Sequence, residues 1–187
     1  RNCDWSSDVC SSDLMTLTGS DTLANYQAAL RAVTYANTSD NPSTLARTVS
    51  VTVDDGTDPS NTVTRDISLT AVNDASTLAA IEGAALGYTE NAGAVAITGT
   101  VTVSDVDDTN IESATVQITA NYANGEDVLA FTDTANISGS WDAATGTMTL
   151  TGSDTLANYQ AALRAVTYAN TSDNPSTLAR TVSFTVD

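Results

Sequence analysis

Carboxylates are the side chains this sequence supplies in excess. Its 187 residues hold 23 Asp and Glu against six Arg, with no Lys and no His, for a net charge of −17. The acids gather in short runs. Asp105, Asp107 and Asp108 stand together in SDVDDTN, Asn73 and Asp74 form a pair, Glu90 and Asn91 lie in TENAG, and Asp54, Asp55 and Asp58 share DDGTDPSN. Calcium takes roughly six to eight oxygen ligands, usually several carboxylates gathered from loops. If the DVDD run is extended, Asp105 and Asp107 project from one side, because side chains alternate along a strand. Carboxylates held so close repel unless a proton or a cation intervenes. The same residues are also ordinary turn formers, so the competing reading of each cluster is a solvated loop; the ligand count favours calcium for Asn73, Asp74 and the DVDD run, and the solvated loop for DDGTD. None is an EF-hand: counting from Asp105, the sixth residue is Asn110 and the twelfth Val116, where that loop needs Gly and Glu. The Gly-rich calcium-binding nonapeptide is absent too.

Enzymatic chemistry finds few players. Without His or Lys there is no imidazole base and no Schiff-base amine, and both Cys residues, Cys3 and Cys10, lie in the first ten positions. Transition-metal sites lose their usual nitrogen and sulfur ligands for the same reason. A glycosidase-type carboxylate pair would need one acid desolvated in a cleft, and no pattern here points to one. The chain is therefore expected not to be an enzyme. Trp141 and Tyr122 offer aromatic faces that could stack on a carbohydrate, making a binding module the alternative; the competing reading places Trp141 in the core.

The elements that must position these residues come from a duplication. Met15 to Asp54 recurs as Met148 to Asp187 with one change, Val51 against Phe184, at an offset of 133 residues. Identity at solvent-type positions is not demanded by packing, so it points to tandem duplication. Residues 1–14 (RNCDWSSDVCSSDL, with Cys3, Trp5 and Cys10) match nothing else in the chain. They resemble a translated sequencing adapter and are expected to be non-native; a genuine cap with a Cys3–Cys10 loop, implying an oxidising compartment, is the other possibility. The expected plan is then residues 15–74 as the C-terminal part of one copy and 75–187 as a second copy lacking its last strand, both ends of the chain looking cut. Of the charged residues, Asp4, Asp8, Asp13 and Arg1 precede Met15, which leaves 20 acids and five arginines, net −15. So acidic a surface repels nucleic acid and anionic membranes and attracts cations. No apolar run reaches the roughly 20 residues that span a bilayer.

Apolar spacing favours strands. Alternation is clear over 94–103, 113–119, 127–132 and 146–151, with a further strand at 166–168 and another at 179–186. Asn124-Gly125 and 142–146 carry turn chemistry, which predicts antiparallel pairing. One segment departs: Ser153 to Ala165 spaces Leu156, Tyr159 and Leu163 helically behind a Ser-Asp-Thr cap, predicting one short helix laid on the sheets. The first copy repeats this at 20–32 and continues to a last strand at 63–72. The fold class is all-β.

Four phrases carry a resemblance: GEDVL (125–129), LANYQAALR (156–164), NTSDNP (170–175) and AVNDA (71–75). Over essentially all of residues 15–187 the chain resembles the cadherin-like (Ig-like) tandem repeats of large bacterial surface adhesins. That resemblance implies antiparallel β-sandwich modules strung end to end, at the bacterial cell surface or outside the cell. It implies a calcium-stiffened spacer in cell adhesion, with neighbouring repeats of the same chain as partners. Any cell-surface or glycan target would be reached through other domains. It also implies that Asn73 and Asp74 hold a junction ion with Asp105 and Asp107, and that Glu90 serves the next junction. Ser76 stands where that family often has Pro, which bears on how stiff the junction is.

Overall fold

The computed structural model describes residues 13–187; Cys3, Trp5 and Cys10, and with them the possible loop between the cysteines, lie outside the described residues. The chain divides into two compact units, the first ending at Val72 and the second running from Asn73 to Asp187. Both are built of antiparallel strands with one short helix each.

The first unit holds helix α1 (Leu23–Arg31) and a two-stranded ladder of β1 (Arg47–Val51) with β2 (Val63–Ile67). No described residue of it is buried. The second unit contains β3 (Thr77–Ala79), β4 (Val95–Ala96), β5 (Thr102–Ser104), β6 (Asn110–Ala120), β7 (Asp127–Ala130), β8 (Ser138–Asp142), β9 (Thr147–Thr155), helix α2 (Leu156–Ala165), β10 (Thr167–Asn170) and β11 (Thr181–Val186). Its sheets have strand orders β11-β6-β9-β8 and β4-β10-β7, with β3 and β5 as a separate pair.

Inward-facing residues alternate along the long strands, and they make the core. Ile111, Ala114, Val116 and Ile118 of β6 meet Met148 and Leu150 of β9, Leu129 of β7, Tyr168 of β10 and Tyr159, Ala162 and Leu163 of α2 in one buried cluster. Helix α2 starts at Thr155, whose hydroxyl accepts from the Asn158 amide, while Asp154 Oδ1 accepts from the Thr155 amide and the Asn158 side chain. Arg164 donates from Nε to the Val101 carbonyl (2.9 Å) and from Nη2 to that of Thr100, fixing the helix to the segment ahead of β5.

Two expectations are corrected. The run 94–103 is two short strands rather than one. Between them Glu82 accepts from Thr98 Oγ1 (2.7 Å) and the Gly99 amide (2.8 Å), so the backbone leaves β10 and re-pairs with β3. The last strand of the first copy, expected over 63–72, ends at Ile67. Helix α2 follows the Ser-Asp-Thr cap as expected, and 147–155 continues as β9 against β6 up to it. Gly152 lies in that strand at φ +124, and a Cβ there would meet the Asn136 carbonyl oxygen at 1.9 Å.

Beneath the core a single carboxylate joins the sheets. Asp127, 1% exposed, accepts from Tyr168 Oη (2.6 Å) and Asn170 Nδ2 (2.7 Å) on Oδ1, and from the Ala123 amide (2.8 Å) and Arg180 Nε (3.1 Å) on Oδ2. Burial raises its pKa, but these donors outweigh burial and hold it below the ordinary value. Tyr168, desolvated and bonded to that anion, is pushed up to about 12. Removing the acceptor with Asp127→Ala strands four donors, including a guanidinium. The expected cost is about 3–5 kcal/mol in denaturant unfolding of the second unit.

The duplication supplies a paired test of burial. Leu163 is fully buried in α2, whereas its copy Leu30 in α1 is only half-buried. Leu163→Ala is expected to cost about 2–5 kcal/mol and Leu30→Ala no more than about 0.5 kcal/mol, read as shifts in urea midpoint. Equal costs would show that α1 is as deeply embedded as α2.

Candidate functional site

Among the described residues, one group of three carboxylates converges as a cation would require: Asp105, Asp107 and Asp108, with one oxygen of each within 4.8 Å of the others. It forms directly after β5, where the chain bends instead of running extended. The same-side projection expected of an extended DVDD run is thus replaced by a side-chain-capped turn. Asp105 Oδ1 accepts from the amides of Asp107 (3.0 Å) and Asp108 (2.8 Å), and this turn folds the following carboxylates back toward it.

The first residues of the unit close onto this turn. The Asp74 amide donates to both oxygens of Asp107 (3.3 and 3.2 Å), and Ser76 Oγ donates to Asp105 Oδ2 (2.7 Å). Ser76 is the residue sequence reasoning left out of the site; a hydroxyl two residues after Asp74 was the available signal, and Pro there would lack it. Asn73 donates its side-chain amide to the Asp74 carbonyl.

The electrostatics are split across the pair. Asp105 is pulled down to about 2 by the amide of Asp108, the Ser76 hydroxyl and the amide of Asp107. Asp107 moves the other way. Desolvation raises it, and the carboxylates of Asp105 and Asp74 raise it further, against the lowering effect of the Asp74 amide. A group that resists ionisation beside one already ionised is what a divalent cation would relieve. The donor set suits a hard ion, being all oxygen; Asp105 Oδ1 already accepts two amides, but Oδ2, accepting from Ser76 Oγ, keeps a second lone pair.

The other expected residues lie apart from this convergence. Glu90 accepts from Asn91 Nδ2, with Asn91 at φ +63 in a turn. Asp54 and Asp55 serve their own loop: Asp54 Oδ1 accepts from the Gly56 amide (2.6 Å), and Asp55 Oδ1 from those of Thr57 and Asp58. Trp141 lies in β8 opposite Met148, partly buried against the core. Tyr122 meets it edge to face at 6.2 Å and donates to the Ala143 carbonyl (2.6 Å). One face of the Tyr122 ring covers Gly146, where a Cβ would come within 3.0 Å. That Gly has φ +68 and closes the 142–146 turn. The aromatic pair is thus engaged in packing this turn. No helix among the described residues is long and apolar enough to cross a membrane.

No family model, no curated protein and no solved structure matches the chain.

Asp105 and Glu82 both sit near 2 in the folded chain, against ordinary values of 3.8 and 4.5. Each therefore contributes stability that is present above its ordinary pKa and lost as the pH falls through about 2. Asp107 acts in the opposite sense, favouring the folded state when protonated and losing that contribution as it ionises. Melting curves taken from about pH 5 down to about pH 2 should show Asp105→Asn less stable than the parent at the upper end and converging with it at the lower. Parallel curves would mean that the turn gains nothing from the Asp105 charge.

Proposed function

We propose that this chain is part of a non-enzymatic tandem-repeat stalk, a calcium-stiffened spacer in bacterial cell adhesion. Its modules are cadherin-like antiparallel β-sandwiches at the cell surface or outside the cell. The observation that carries the reading is the convergence of Asp105, Asp107 and Asp108 on the residues where the second unit begins. In a repeat, those residues are where one module hands over to the next. An ion bound by the three carboxylates, with Asn73 and Asp74 beside them, would tie the incoming strand to its own module. The 40-residue duplication supports the array. The two sheets sharing one core support the sandwich. The absence of His and Lys from the sequence supports a role without catalysis.

Calcium binding is read from the melting temperature of the chain in millimolar calcium and in chelator, beside Asp105→Ala/Asp107→Ala. At a hundred-fold excess over the dissociation constant the ion contributes about 2.7 kcal/mol, a rise on the order of 10 °C for a unit of this size. The double variant should lose that rise. An unchanged midpoint in the parent would remove the ion from the proposal and leave an acidic spacer.

A further inference from the structure

One turn carries a chemistry that the fold leaves open. Asn124 is the only Asn in the sequence followed by Gly. An Asn carboxamide carbon can close a five-membered ring with the nitrogen of the next residue, and a glycine there brings no Cβ to crowd the closing atoms. Ring closure in a folded chain then depends on what holds the two groups. Asn124 and Gly125 are exposed, with Gly125 at φ +86, and a Cβ built on Gly125 would meet nothing within 4 Å. Among the described residues neither the Asn124 carboxamide nor the Gly125 N–H has a hydrogen-bond partner.

Asp55 also precedes a glycine and can close the same ring, but there both groups are held. The Gly56 amide donates to Asp54 Oδ1 (2.6 Å), and Asp55 Oδ1 accepts from the amides of Thr57 (2.9 Å) and Asp58 (3.1 Å). An ionised carboxylate is also a weaker electrophile than a neutral carboxamide. Around Asn124 the rest of the turn is fastened through other groups. The Ala123 carbonyl accepts from the amides of Glu126 (3.1 Å) and Asp127 (2.9 Å), and the Ala123 amide donates to Asp127 Oδ2 (2.8 Å). Thr171 donates from its amide to the Glu126 carbonyl (2.9 Å) and from Oγ1 to the Gly125 carbonyl (3.4 Å). What happens at Asn124 is therefore transmitted to the buried carboxylate.

We propose that Asn124 is a site of spontaneous covalent modification, deamidating through a cyclic imide with Gly125, and that the product weakens the Asp127 network. The Gly125 nitrogen attacks Asn124 Cγ and forms a C–N bond. The Cγ–Nδ2 bond breaks, and the Gly125 amide proton leaves with Nδ2 as ammonia. Water then opens the ring at either carbonyl. Opening at Cγ leaves an ordinary Asp, whereas opening at the main-chain carbonyl leaves isoaspartate, with one extra methylene in the backbone. The sum is exchange of NH2 for OH, with no change in oxidation state. Either product adds a negative charge beside Glu126 and Asp127, which opposes the ionised Asp127. Isoaspartate also lengthens the chain inside the turn that sets the Ala123 amide on that carboxylate. This inference is independent of calcium.

Incubating the full folded chain for days in mildly alkaline buffer, then digesting it ahead of Asp residues, decides it by mass spectrometry. The fragment 108–126 holds Asn110, Asn121 and Asn124 together. An Asp at 124 adds a cut, whereas isoaspartate leaves the fragment whole with the mass of the exchanged group. Asn110 and Asn121 precede Ile111 and Tyr122, whose side chains crowd the attacking nitrogen, and should react at least about ten-fold more slowly than Asn124. The urea midpoint of the second unit should fall in the parent as isoaspartate accumulates. It should stay fixed in Asn124→Gln, whose longer side chain would need a six-membered ring. Asn124 reacting no faster than Asn110 and Asn121 would overturn the site, and midpoints that change alike in parent and variant would overturn the effect on Asp127.

Discussion

The second unit depends on the burial of one ionised carboxylate. A lone carboxylate taken out of water costs several kcal/mol, and it is tolerated only when its lone pairs are filled. Asp127 meets that condition with four donors drawn from separate parts of the chain. Ala123 comes from the turn ahead of β7, Tyr168 and Asn170 from β10, and Arg180 from the approach to β11. The first three fix the three-stranded sheet. The fourth belongs to the chain entering the other sheet, so this contact ties the two sheets together. Tyr88 extends the network: its ring meets Tyr168 edge to face at 5.0 Å, and its hydroxyl accepts from the Asn170 amide.

Much of the negative charge elsewhere is spent on turns. Asp54, Asp55, Asp105, Asp142 and Asp154 each accept from backbone amides one to three residues ahead. Hydrogen bonds to the anion lower the pKa of Asp55, Asp105, Asp142 and Asp154, led by backbone amides at Asp55 and Asp105 and by the Thr145 and Asn158 side chains at Asp142 and Asp154. Among the described residues, only after β5 does such a turn bring three carboxylates together, because Asp107 and Asp108 lie two and three residues after the capping Asp105. The turn holding the acids also receives the first residues of the unit, through the Asp74 amide and the Ser76 hydroxyl.

Strand alternation was readable where one face is buried and the other wet, as along β6 and β9. It misled over 94–103, because the break there is made by Glu82, distant in sequence and without local signal. Strand β8 carries Gly139, Ser140 and Trp141 in place of a clear apolar alternation, and its existence rests on pairing with β9. The acidic run at 105–108 was visible as a candidate, but its bent geometry and the Ser76 contact required the fold. Asp127 looked like the opening residue of a strand; nothing in its neighbours announces that it is buried.

The duplicated 40 residues separate what local sequence decides from what it leaves open. In both copies Thr22 or Thr155 caps a helix, and Asp21 or Asp154 bonds the same two groups. In both, Tyr26 or Tyr159 donates to the carbonyl of Gly19 or Gly152, and Arg47 or Arg180 wraps onto two carbonyls just upstream. Even the positive φ of the glycine recurs, +136 and +124, although only Gly152 faces a carbonyl that forbids a Cβ. These features close within about seven residues, so the sequence by itself determines them. Burial does not recur: Tyr159 is fully buried, while Tyr26 is half-buried and Leu23 lies 87% exposed. Nor do the strands, since Met148–Thr151 and Thr167–Asn170 are ladders and Met15–Thr18 and Thr34–Asn37 are not. A ladder and a core need partners far along the chain, here β6, β7 and the Asp127 carboxylate, and identical residues without those partners stay in water.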